Sequence, residues 1–521
     1  MTNAVDKLVI GLDSSTQSTK AVAWDRSGHM VAKGSAPITT SNPCRDQFVQ
    51  DPSDWWRSCC QALQSCVNEI AVSRVDALAI AHQRETVAFL NEKAESIYPA
   101  ILWLDERSRA NVASLSESIG AETVHRISGR YPDLATTIYK FDWMRRNEPE
   151  VFTRTTCFAD VQCYLAHRLA GGPFRTGWLS ADSFGVYDLV ERQWSSLLLD
   201  AIDLSPDRLP DTIPPGKLLG TVSRQAANET GVPEGVPIFT AGGDGAYAGL
   251  GTDCTRKDRA YVNLGTAVVS GAWSPEYRYD RAWRTLLAAQ GEGYVFESVL
   301  RTGAFLVNWF VDQFVPEGRR DSGVFRRLEV AAREIPIGCD GLMIQPYWSG
   351  VMDPYWDVSA RGVTFGQSGS HKLAHFYRAI LEGITLDQVM RTKGMEMASG
   401  ENIDHYLAIG GGAESPLWRQ MLADASGKRV LISATIEASA LGAGMTAAFG
   451  AGWFSSIADA AHHMTGDTKV VEPNVEVAER YGALLEIYED VYDACSGINR
   501  RLVNFARDHP KTENMTAHRQ V

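Results

Sequence analysis

The chain has 521 residues, which is enough for two or more domains that each bury a core. With 45% hydrophobic and 22% charged residues, its composition is that of an ordinary globular protein. The net charge of −13 argues against a nucleic-acid-binding protein, which usually carries a basic excess. It does not exclude a nucleotide bound at a buried site.

The N-terminal segment predicts strands followed by a helix. Three strands are expected first, over 8–13, 20–25 and 29–37. Asp51 and Pro52 then open a helix that continues over 55–70, and 77–81 predicts a short buried strand. This alternation of strands and helices indicates an α/β fold.

The turn between the first two strands is rich in hydroxyl groups. It reads GLDSSTQSTK, in which Asp13 is followed by five serine or threonine residues before Lys20. Such a turn can surround phosphate oxygens, and Asp13 can hold Mg²⁺ directly or through water. A solvated polar turn is the alternative. A Walker loop is excluded because GxxxxGK[ST] is absent.

Two further polar segments follow predicted strands. Asp244, in GGDGAYAG, could be a general base toward a substrate hydroxyl, or only an Asx turn or helix cap. Arg84 and Glu85, in QRET, could bind adjacent hydroxyls of a polyol, with Trp103 as a wall. A structural ion pair is the alternative interpretation of Arg84 and Glu85.

The plan of the first strands recurs near the middle of the chain. Strand-like segments over 259–264 and 267–273 flank Gly265-Thr266, much as the first two strands flank their polar turn. The repetition predicts two related α/β domains with a ligand cleft between them. The expected division is 1–253 and 254–507, followed by a polar tail over 508–521.

A strand, a glycine turn and a helix are predicted later in the second half. Residues 405–409 indicate the strand, and Ser415-Pro416 has the residue types of a helix start. The glycines at 410–412 would let the backbone approach a ligand closely. GAGMTA at 442–447 matches GxGxxA, but it lies in a predicted helix and therefore indicates close helix packing, not a dinucleotide site.

The nine cysteines fit neither a disulfide framework nor a zinc site, since they include no CxxC pair. Scattered among apolar residues, they indicate reduced thiols in a cytoplasmic protein. The sequence shows no signal-peptide pattern and no apolar run of about 18 residues. It therefore predicts neither export nor a membrane span.

Taken in order along the chain, these segments resemble the FGGY family of carbohydrate kinases, which includes xylulokinases and glycerol kinases. The resemblance is carried by the turn at 11–20, Gly243-Asp244, Gly265-Thr266 and GGGAESPLWRQ at 410–420, and it extends to YWDVSARG at 355–362 and LEGI at 381–384. The family implies two ribonuclease H-like domains of the type found in actin, hexokinase and Hsp70 proteins. It also implies ATP and Mg²⁺, with the sugar on the first domain and ATP mainly on the second.

The same resemblance implies roles for individual residues. Asp244 looks like the catalytic base, and Asp13 and Asp244 look like the Mg²⁺ ligands. The substrate would contact Gln83, Arg84, Glu85, Trp103 and Asp244. The nucleotide would contact Thr16, Lys20, Gly265, Thr266, Asn308, Gly411, Gly412 and Ser415.

The resemblance also bears on the substrate. Arg84-Glu85 and Trp103 are similar to glycerol kinases, but a tyrosine of those enzymes falls at Ala135. The GGGAESPLWRQM run and residues 101–109 are more similar to xylulokinases, although the Met-His pair of their sugar site is absent at Arg84-Glu85. We expect ATP-dependent phosphorylation of a small ketose or polyol of the xylulose type. Kinases of glycerol, of tetritols and of a signalling-furanone precursor are the alternatives.

Two other classes of protein share this nucleotide fold. An ATPase-type module related to actin or Hsp70 would hydrolyse ATP slowly without a sugar, and a sugar sensor would bind with little turnover. Asp13 and Asp244, and the absence of a peptide-binding appendage after the second domain, favour the kinase. The expected partner is a small sugar or polyol, with neither nucleic acid nor membrane. Family members are often dimers or tetramers, so a homodimer is also expected.

Overall fold

Two mixed sheets dominate the computed structural model, which describes residues 7–44, 46–466 and 468–509. The first has six strands, in the spatial order Leu218–Thr221, Pro237–Gly243, Val75–His82, Leu8–Ser14, Ser18–Trp24 and Met30–Pro37. The second has seven, in the order Arg284–Leu287, Tyr294–Leu300, Val268–Ser274, Arg259–Leu264, His405–Ile409, Arg429–Ile432 and Lys469–Val471.

The two sheets share one topology. In each, three antiparallel strands are followed along the chain by two strands that are parallel to the first, giving the order 3-2-1-4-5. The second sheet has an additional edge strand, Arg284–Leu287, which pairs with its third strand. Beyond the fifth strand, each sheet has one more edge strand, Leu218–Thr221 in the first sheet and Lys469–Val471 in the second. The predicted pair of related α/β domains is therefore confirmed.

The smaller sheets lie outside this repeated plan. One has four strands, Val49–Gln50, Ser96–Ile101, Val87–Leu90 and Cys157–Ala159. The two-stranded sheets are Tyr187–Asp188 with Gln193–Trp194, Arg175–Gly177 with Asp211–Ile213, and Met343–Gln345 with Val363–Phe365.

Helices cover the sheets. Those of eight or more residues are Pro52–Val67, Arg109–Ile119, Ala121–Ser128, Thr137–Asn147, Val161–Ala170, Ala304–Phe314, Val324–Arg333, Leu373–Ser399, Pro416–Ser426, Ala438–Gly450, Ile457–Met464 and Val475–Asp508. The shorter α-helices are Pro149–Arg154, Trp178–Ala181, Ser196–Asp200, Arg224–Thr230 and Asp244–Leu250. Among the described residues, no helix combines the length and apolar character that a bilayer span needs.

Local sequence signals explain several element boundaries. The side chain of Asp51 accepts a hydrogen bond from the Ser53 amide and caps the first helix, which begins at Pro52. Ser415 caps a later helix in the same way by accepting from the Trp418 amide, with Pro416 at the first helical position. The last helix, Val475–Asp508, was not predicted; it ends where the predicted polar tail begins, and residues 510–521 of that tail lie outside the described residues.

The two halves are in close contact through the helix Ala438–Gly450. A Cβ atom at Gly442 would lie only 2.1 Å from the carbonyl oxygen of Tyr247, and one at Gly11 would lie 1.8 Å from that of Ala440. Only glycine permits these distances. The segment is thus a packing helix, as its sequence predicts, and it holds the second half against the first sheet.

Candidate active site

Two cavities are lined by residues of both halves, and Asp244 contributes to both. The Asp13 cavity, of about 240 Å³, also includes Lys20 and Gly410 in its lining. The Glu85 cavity, of about 170 Å³, is lined by all five residues predicted to bind substrate, Gln83, Arg84, Glu85, Trp103 and Asp244, together with others. The structure therefore brings the predicted substrate and metal residues together at Asp244.

A sharp strand-to-helix turn positions Asp244. The strand Pro237–Gly243 ends directly before it, and the helix Asp244–Leu250 begins with it. Its Oδ1 accepts a hydrogen bond from the Gly245 amide at 2.9 Å. A Cβ atom at Gly243 would lie 2.4 Å from Cδ of Arg84, so glycine is needed for the arginine to pass beside the turn.

Burial and a second carboxylate make Asp244 easier to protonate than an ordinary aspartate. Burial raises the pKa of Asp244 to about 7, and the negative charge of Asp13 adds to the rise. Burial also raises the pKa of Asp13, although Ser15 opposes this by donating a hydrogen bond from Oγ to Asp13 Oδ1 at 2.7 Å. Two carboxylates at one cavity favour a bound cation or a retained proton.

The residues at the Asp13 cavity fit a magnesium ion bound together with phosphates. Mg²⁺ in such sites takes one or two carboxylates and completes its shell with phosphate oxygens and water. Asp13 and Asp244 supply two carboxylates at this cavity. Within 7–44, 46–466 and 468–509, no group of three or more His, Cys, Asp or Glu side chains is arranged to hold a metal without such a substrate.

Lys20 is held at the wall of the Asp13 cavity by a carboxylate from the other half of the chain. Its Nζ lies 2.7 Å from Glu437 Oε2, and Lys33 Nζ lies 2.5 Å from Glu437 Oε1. Both lysines hold the pKa of Glu437 below its ordinary value, against the effect of burial. Glu437 was not predicted as a site residue, since nothing near it in sequence suggests an ion pair with Lys20.

Glu85 is a buried carboxylate surrounded by positive charge. Its Oε1 accepts hydrogen bonds from Arg130 Nη1 at 2.6 Å and from Arg284 Nη1 at 3.3 Å. Lys140 Nζ donates to the Glu85 carbonyl at 2.6 Å. Burial opposes ionisation, but Arg284 and Arg130 outweigh it and hold the pKa of Glu85 at about 2. Glu85 is therefore a charged acceptor at neutral pH.

The other predicted substrate residues are fixed by hydrogen bonds. Arg84 donates from Nη1 to the Leu179 carbonyl at 3.0 Å and from Nη2 to Asp182 Oδ1 at 2.5 Å. Its Nε is buried, makes no hydrogen bond among the described residues, and lies 3.6 Å from Glu85 Oε1 in an ion pair. Gln83 Nε2 donates to Gln50 Oε1 at 2.9 Å.

Trp103 and Thr16 form one wall of the Glu85 cavity. Trp103 Nε1 donates to Thr16 Oγ1 at 3.0 Å, and both residues line this cavity. Thr16, which the family resemblance assigns to the nucleotide, thus lies on the side of the predicted substrate residues. Ala135 lines the same cavity, at the position where glycerol kinases have a tyrosine.

The remaining predicted nucleotide residues lie on the second half. Thr266 lines the Glu85 cavity, and the carbonyl of Gly265 accepts from the Ala304 amide at 2.8 Å, at the start of the helix that carries Asn308. Gly412 is in close contact with the chain, since a Cβ atom there would lie 2.6 Å from the Trp418 ring. Neither cavity lining includes Gly265, Asn308, Gly411, Gly412 or Ser415.

Two arginines of the Glu85 cavity were not predicted. Arg284 bonds Glu297 Oε2 through Nε at 2.5 Å as well as contacting Glu85, which is 199 residues away along the chain. Arg301 lies 2.8 Å from the carboxylate of Asp133. One signal was available: Glu297 lies within the mostly apolar strand YVFESVL, and a buried carboxylate there requires a cationic partner.

Comparisons with known proteins show the family of both halves of the chain. Two family models match, the FGGY family of carbohydrate kinases, N-terminal domain, over 8–251, and the corresponding C-terminal domain over 260–451. The chain is 26% identical to a xylulose kinase of Bacillus subtilis (strain 168) over 506 residues, covering 96% of this chain and 100% of the relative. It is 24% identical to a gluconokinase of the same organism over 486 residues, covering 92% and 94%.

Solved structures show the same fold. The xylulose kinase from Rhodospirillum rubrum aligns with a TM-score of 0.86 and 25% identity, covering 95% of this chain and 100% of that one. The Plasmodium falciparum glycerol kinase with ADP aligns with a TM-score of 0.82 and 19% identity, covering 92% and 96%. The predicted two-domain fold and enzyme class are confirmed. Matched along both halves, the chain belongs to the FGGY family of carbohydrate kinases, phosphotransferases that act on a sugar or polyol hydroxyl.

Proposed function

We propose that this kinase phosphorylates a ketopentose of the xylulose type, with ATP as the phosphoryl donor and Mg²⁺ as the metal. The observation that carries the proposal is that one carboxylate, Asp244, lines both cavities. A sugar in the Glu85 cavity and phosphates in the Asp13 cavity would meet at Asp244. The xylulose kinases among the relatives support the choice of sugar.

The Glu85 cavity has the groups that a ketopentose needs. Arg84 can donate to one hydroxyl, and the charged Glu85 can accept from its neighbour. Trp103 supplies an apolar wall. Ala135 leaves space that a tyrosine would fill, which favours a chain longer than glycerol.

We propose that Asp244 acts as the general base. As the sugar oxygen bonds to the γ-phosphorus, its proton moves to an Asp244 carboxylate oxygen, and the bond to the β,γ-bridging oxygen breaks to release ADP. A base with a pKa of about 7 is matched to neutral pH. A positioned base contributes about 10²–10⁴ in rate.

On the nucleotide side, we propose that Asp13 and Asp244 hold Mg²⁺, which would neutralise charge on the phosphate oxygens. Thr16, Lys20, Gly265 and Thr266 would lie near the phosphates. Asn308, Gly411, Gly412 and Ser415 would lie toward the adenosine, since the backbone of the 410–412 turn can approach a ligand closely.

We also propose a cellular location and a domain boundary. We propose a cytoplasmic location, supported by nine free cysteines of which most are buried. We also propose a division into 1–253 and 254–507, supported by the separate sheets of the two halves.

The test is ADP release from Mg·ATP with a panel of acceptors: D-xylulose, ribulose, glycerol, erythritol, xylitol, fructose and gluconate. We expect D-xylulose to give the highest kcat/KM and to raise ADP release by several orders of magnitude over water. A higher kcat/KM for glycerol or gluconate would assign a different substrate class. Slow hydrolysis that is the same with every acceptor would instead support the ATPase-type module.

A further inference from the structure

Arg301 reaches from the second half of the chain into the Glu85 cavity. It directly follows the strand Tyr294–Leu300 and lines this cavity, but it does not line the Asp13 cavity. Its Nη2 donates to both carboxylate oxygens of Asp133 on the first half, at 3.0 Å and 2.8 Å. The Arg301 side chain is 18% exposed, whereas that of Asp133 is 6% exposed. The guanidinium group therefore spans the cleft and is accessible to a ligand in the cavity.

Arg301 has more donor capacity to spare than the other two arginines of this cavity. Each guanidinium nitrogen of Arg84 and of Arg284 lies within 3.6 Å of a carboxylate or carbonyl oxygen. Arg301 bonds Asp133 through Nη2, and its Nε and Nη1 make no hydrogen bond in the described part of the chain. An arginine that pairs with a carboxylate commonly uses two nitrogens in a fork. Contact through a single nitrogen leaves Nε and Nη1 for another acceptor.

The free donors of Arg301 are on the side of the cavity where Ala135 lies. Asp133 Oδ1, which accepts from Arg301 Nη2, also accepts from the Ala135 amide at 2.9 Å. This shared oxygen holds the guanidinium group next to Ala135. Because Ala135 carries only a methyl group, an acceptor longer than glycerol can extend past it to Arg301, whereas a tyrosine at this position would occupy the same space.

The charge of the pair indicates which kind of group Arg301 binds. Asp133 supplies one negative charge against the one positive charge of Arg301, at 2.8 Å. The paired guanidinium group keeps its N–H donors but carries little net charge into the cavity. It therefore suits a neutral hydroxyl or carbonyl oxygen of a sugar, whereas Asp133 would repel a carboxylate.

From these contacts we propose that Arg301 determines acceptor specificity by donating a hydrogen bond to an oxygen near the end of the acceptor that lies away from Asp244. The oxygen phosphorylated at Asp244 and the oxygen bound by Arg301 would then belong to the two ends of one acceptor, which requires a chain longer than glycerol. The inference rests on the proposed function, because it places the acceptor in the Glu85 cavity.

Substitution of Arg301 tests the proposal through selectivity. Arg301→Met removes the donors, and Arg301→Lys keeps a positive charge beside Asp133 but loses the guanidinium fork. In both variants we expect kcat/KM with D-xylulose to fall at least about tenfold through KM, as for the loss of one hydrogen bond from a charged donor. With glycerol, kcat/KM should change less than about threefold, since glycerol does not reach Arg301. An acceptor too poor for turnover is compared by its inhibition constant.

A purely structural role of Arg301 predicts a different result. If Arg301 only held the two halves together, Arg301→Met would impair D-xylulose and glycerol equally, and Arg301→Lys would restore the wild-type ratio of their kcat/KM values. Either outcome would overturn the proposal. The matched control is Arg281→Met, because the Arg281 guanidinium also crosses between the halves, 4.5 Å from the ring centroid of Tyr131, without lining the cavity. This control should keep the wild-type ratio.

Gluconate tests the charge argument. Asp133→Asn removes the negative charge that balances Arg301, so kcat/KM with gluconate should rise at least about threefold relative to D-xylulose. An unchanged ratio would overturn the selection of a neutral oxygen by the pair.

The acceptor preference of the wild type separates failure of this inference from failure of the proposed function. A preference for another neutral acceptor longer than glycerol changes the proposed function, and Arg301 is then tested with that acceptor. Glycerol or gluconate as the preferred acceptor would overturn both. A preference for D-xylulose, together with an unchanged selectivity of Arg301→Met, would overturn the role of Arg301 alone.

Discussion

Glu85 combines an unusual backbone conformation with a dense set of ion pairs. Its φ of +51° lies in the left-handed region, which non-glycine residues seldom adopt. Such a conformation persists only where the surroundings fix it, and at functional sites it often orients a side chain. Here Arg130 and Arg284 donate to the Glu85 carboxylate and Lys140 donates to its carbonyl, and these three hydrogen bonds fix the residue.

We expect Glu85→Gln to lower both sugar affinity and stability. The variant loses a charged acceptor, which is worth about 10–100-fold in kcat/KM. It also leaves Arg130 and Arg284 without part of their counter-charge, which lowers the free energy of unfolding by about 3 kcal/mol. Acceptor-dependent kinetics and urea denaturation measure the two effects. Glu92→Gln, at an exposed position, should change neither.

The pH dependence of stability gives a second measure of this carboxylate. The folded pKa of Glu85, about 2, lies below the ordinary value of about 4.3. Ionised Glu85 therefore stabilises the folded protein fully above about pH 4.3, and the contribution is lost as the pH falls toward 2. Glu85→Gln should lack this part of the acid destabilisation. An identical acid profile in both proteins would contradict the ion-pair assignment.

Ala135 offers a direct test of cavity size. We expect Ala135→Tyr to raise KM for D-xylulose at least tenfold, because the ring would occupy space in the Glu85 cavity. The activity with glycerol should fall less, since a shorter polyol needs less of that space. Steady-state kinetics with both acceptors measure the difference. An equal loss with the two acceptors would count against this position as a determinant of substrate length.

At the scale of elements, the helix Ala438–Gly450 depends on glycine for its contacts. We expect Gly442→Ala to lower the free energy of unfolding by about 1–3 kcal/mol, because the new methyl group meets the backbone of Tyr247. Gly482→Ala, also inside a helix but with open space at its Cβ position, should instead raise it by about 0.5–1 kcal/mol. Chemical denaturation measures both, and a stabilising Gly442→Ala would show that the helices can move apart.

Local patterns predicted the elements that carry the site. The strand that carries Asp13, the strand before the 410–412 turn and the caps at Asp51 and Ser415 all follow from residues adjacent in sequence. The boundaries differed by up to three residues, as for the helix predicted to start near Pro52 and to run to 70, which ends at Val67. A hydrophobic pattern indicates which residues of a helix are packed in the core. It does not define the residue at which the backbone hydrogen bonds of the helix end.

At the scale of the whole molecule, ion pairs between the halves complete the site. Glu437 pairs with Lys20, and Arg284 pairs with Glu85. Glu437 and Arg284 were not predicted, because each is distant in sequence from its partner. The residues next to Lys20 or Glu85 in the sequence carry no information about these partners. The duplicated sheet was predictable since its strands repeat one local plan, whereas contacts across the cleft follow from how two folded halves meet.

The central claim concerns Asp244, and the turnover of Asp244→Asn with Mg·ATP and D-xylulose tests it most directly. The asparagine keeps the shape of the side chain but cannot accept the hydroxyl proton. We predict a loss of at least 10²-fold in kcat with a cooperative thermal transition retained. The wild-type kcat/KM should fall at acidic pH, because a protonated Asp244 cannot accept the hydroxyl proton. A variant with near-normal turnover and the same pH profile would contradict the assignment of Asp244 as the base.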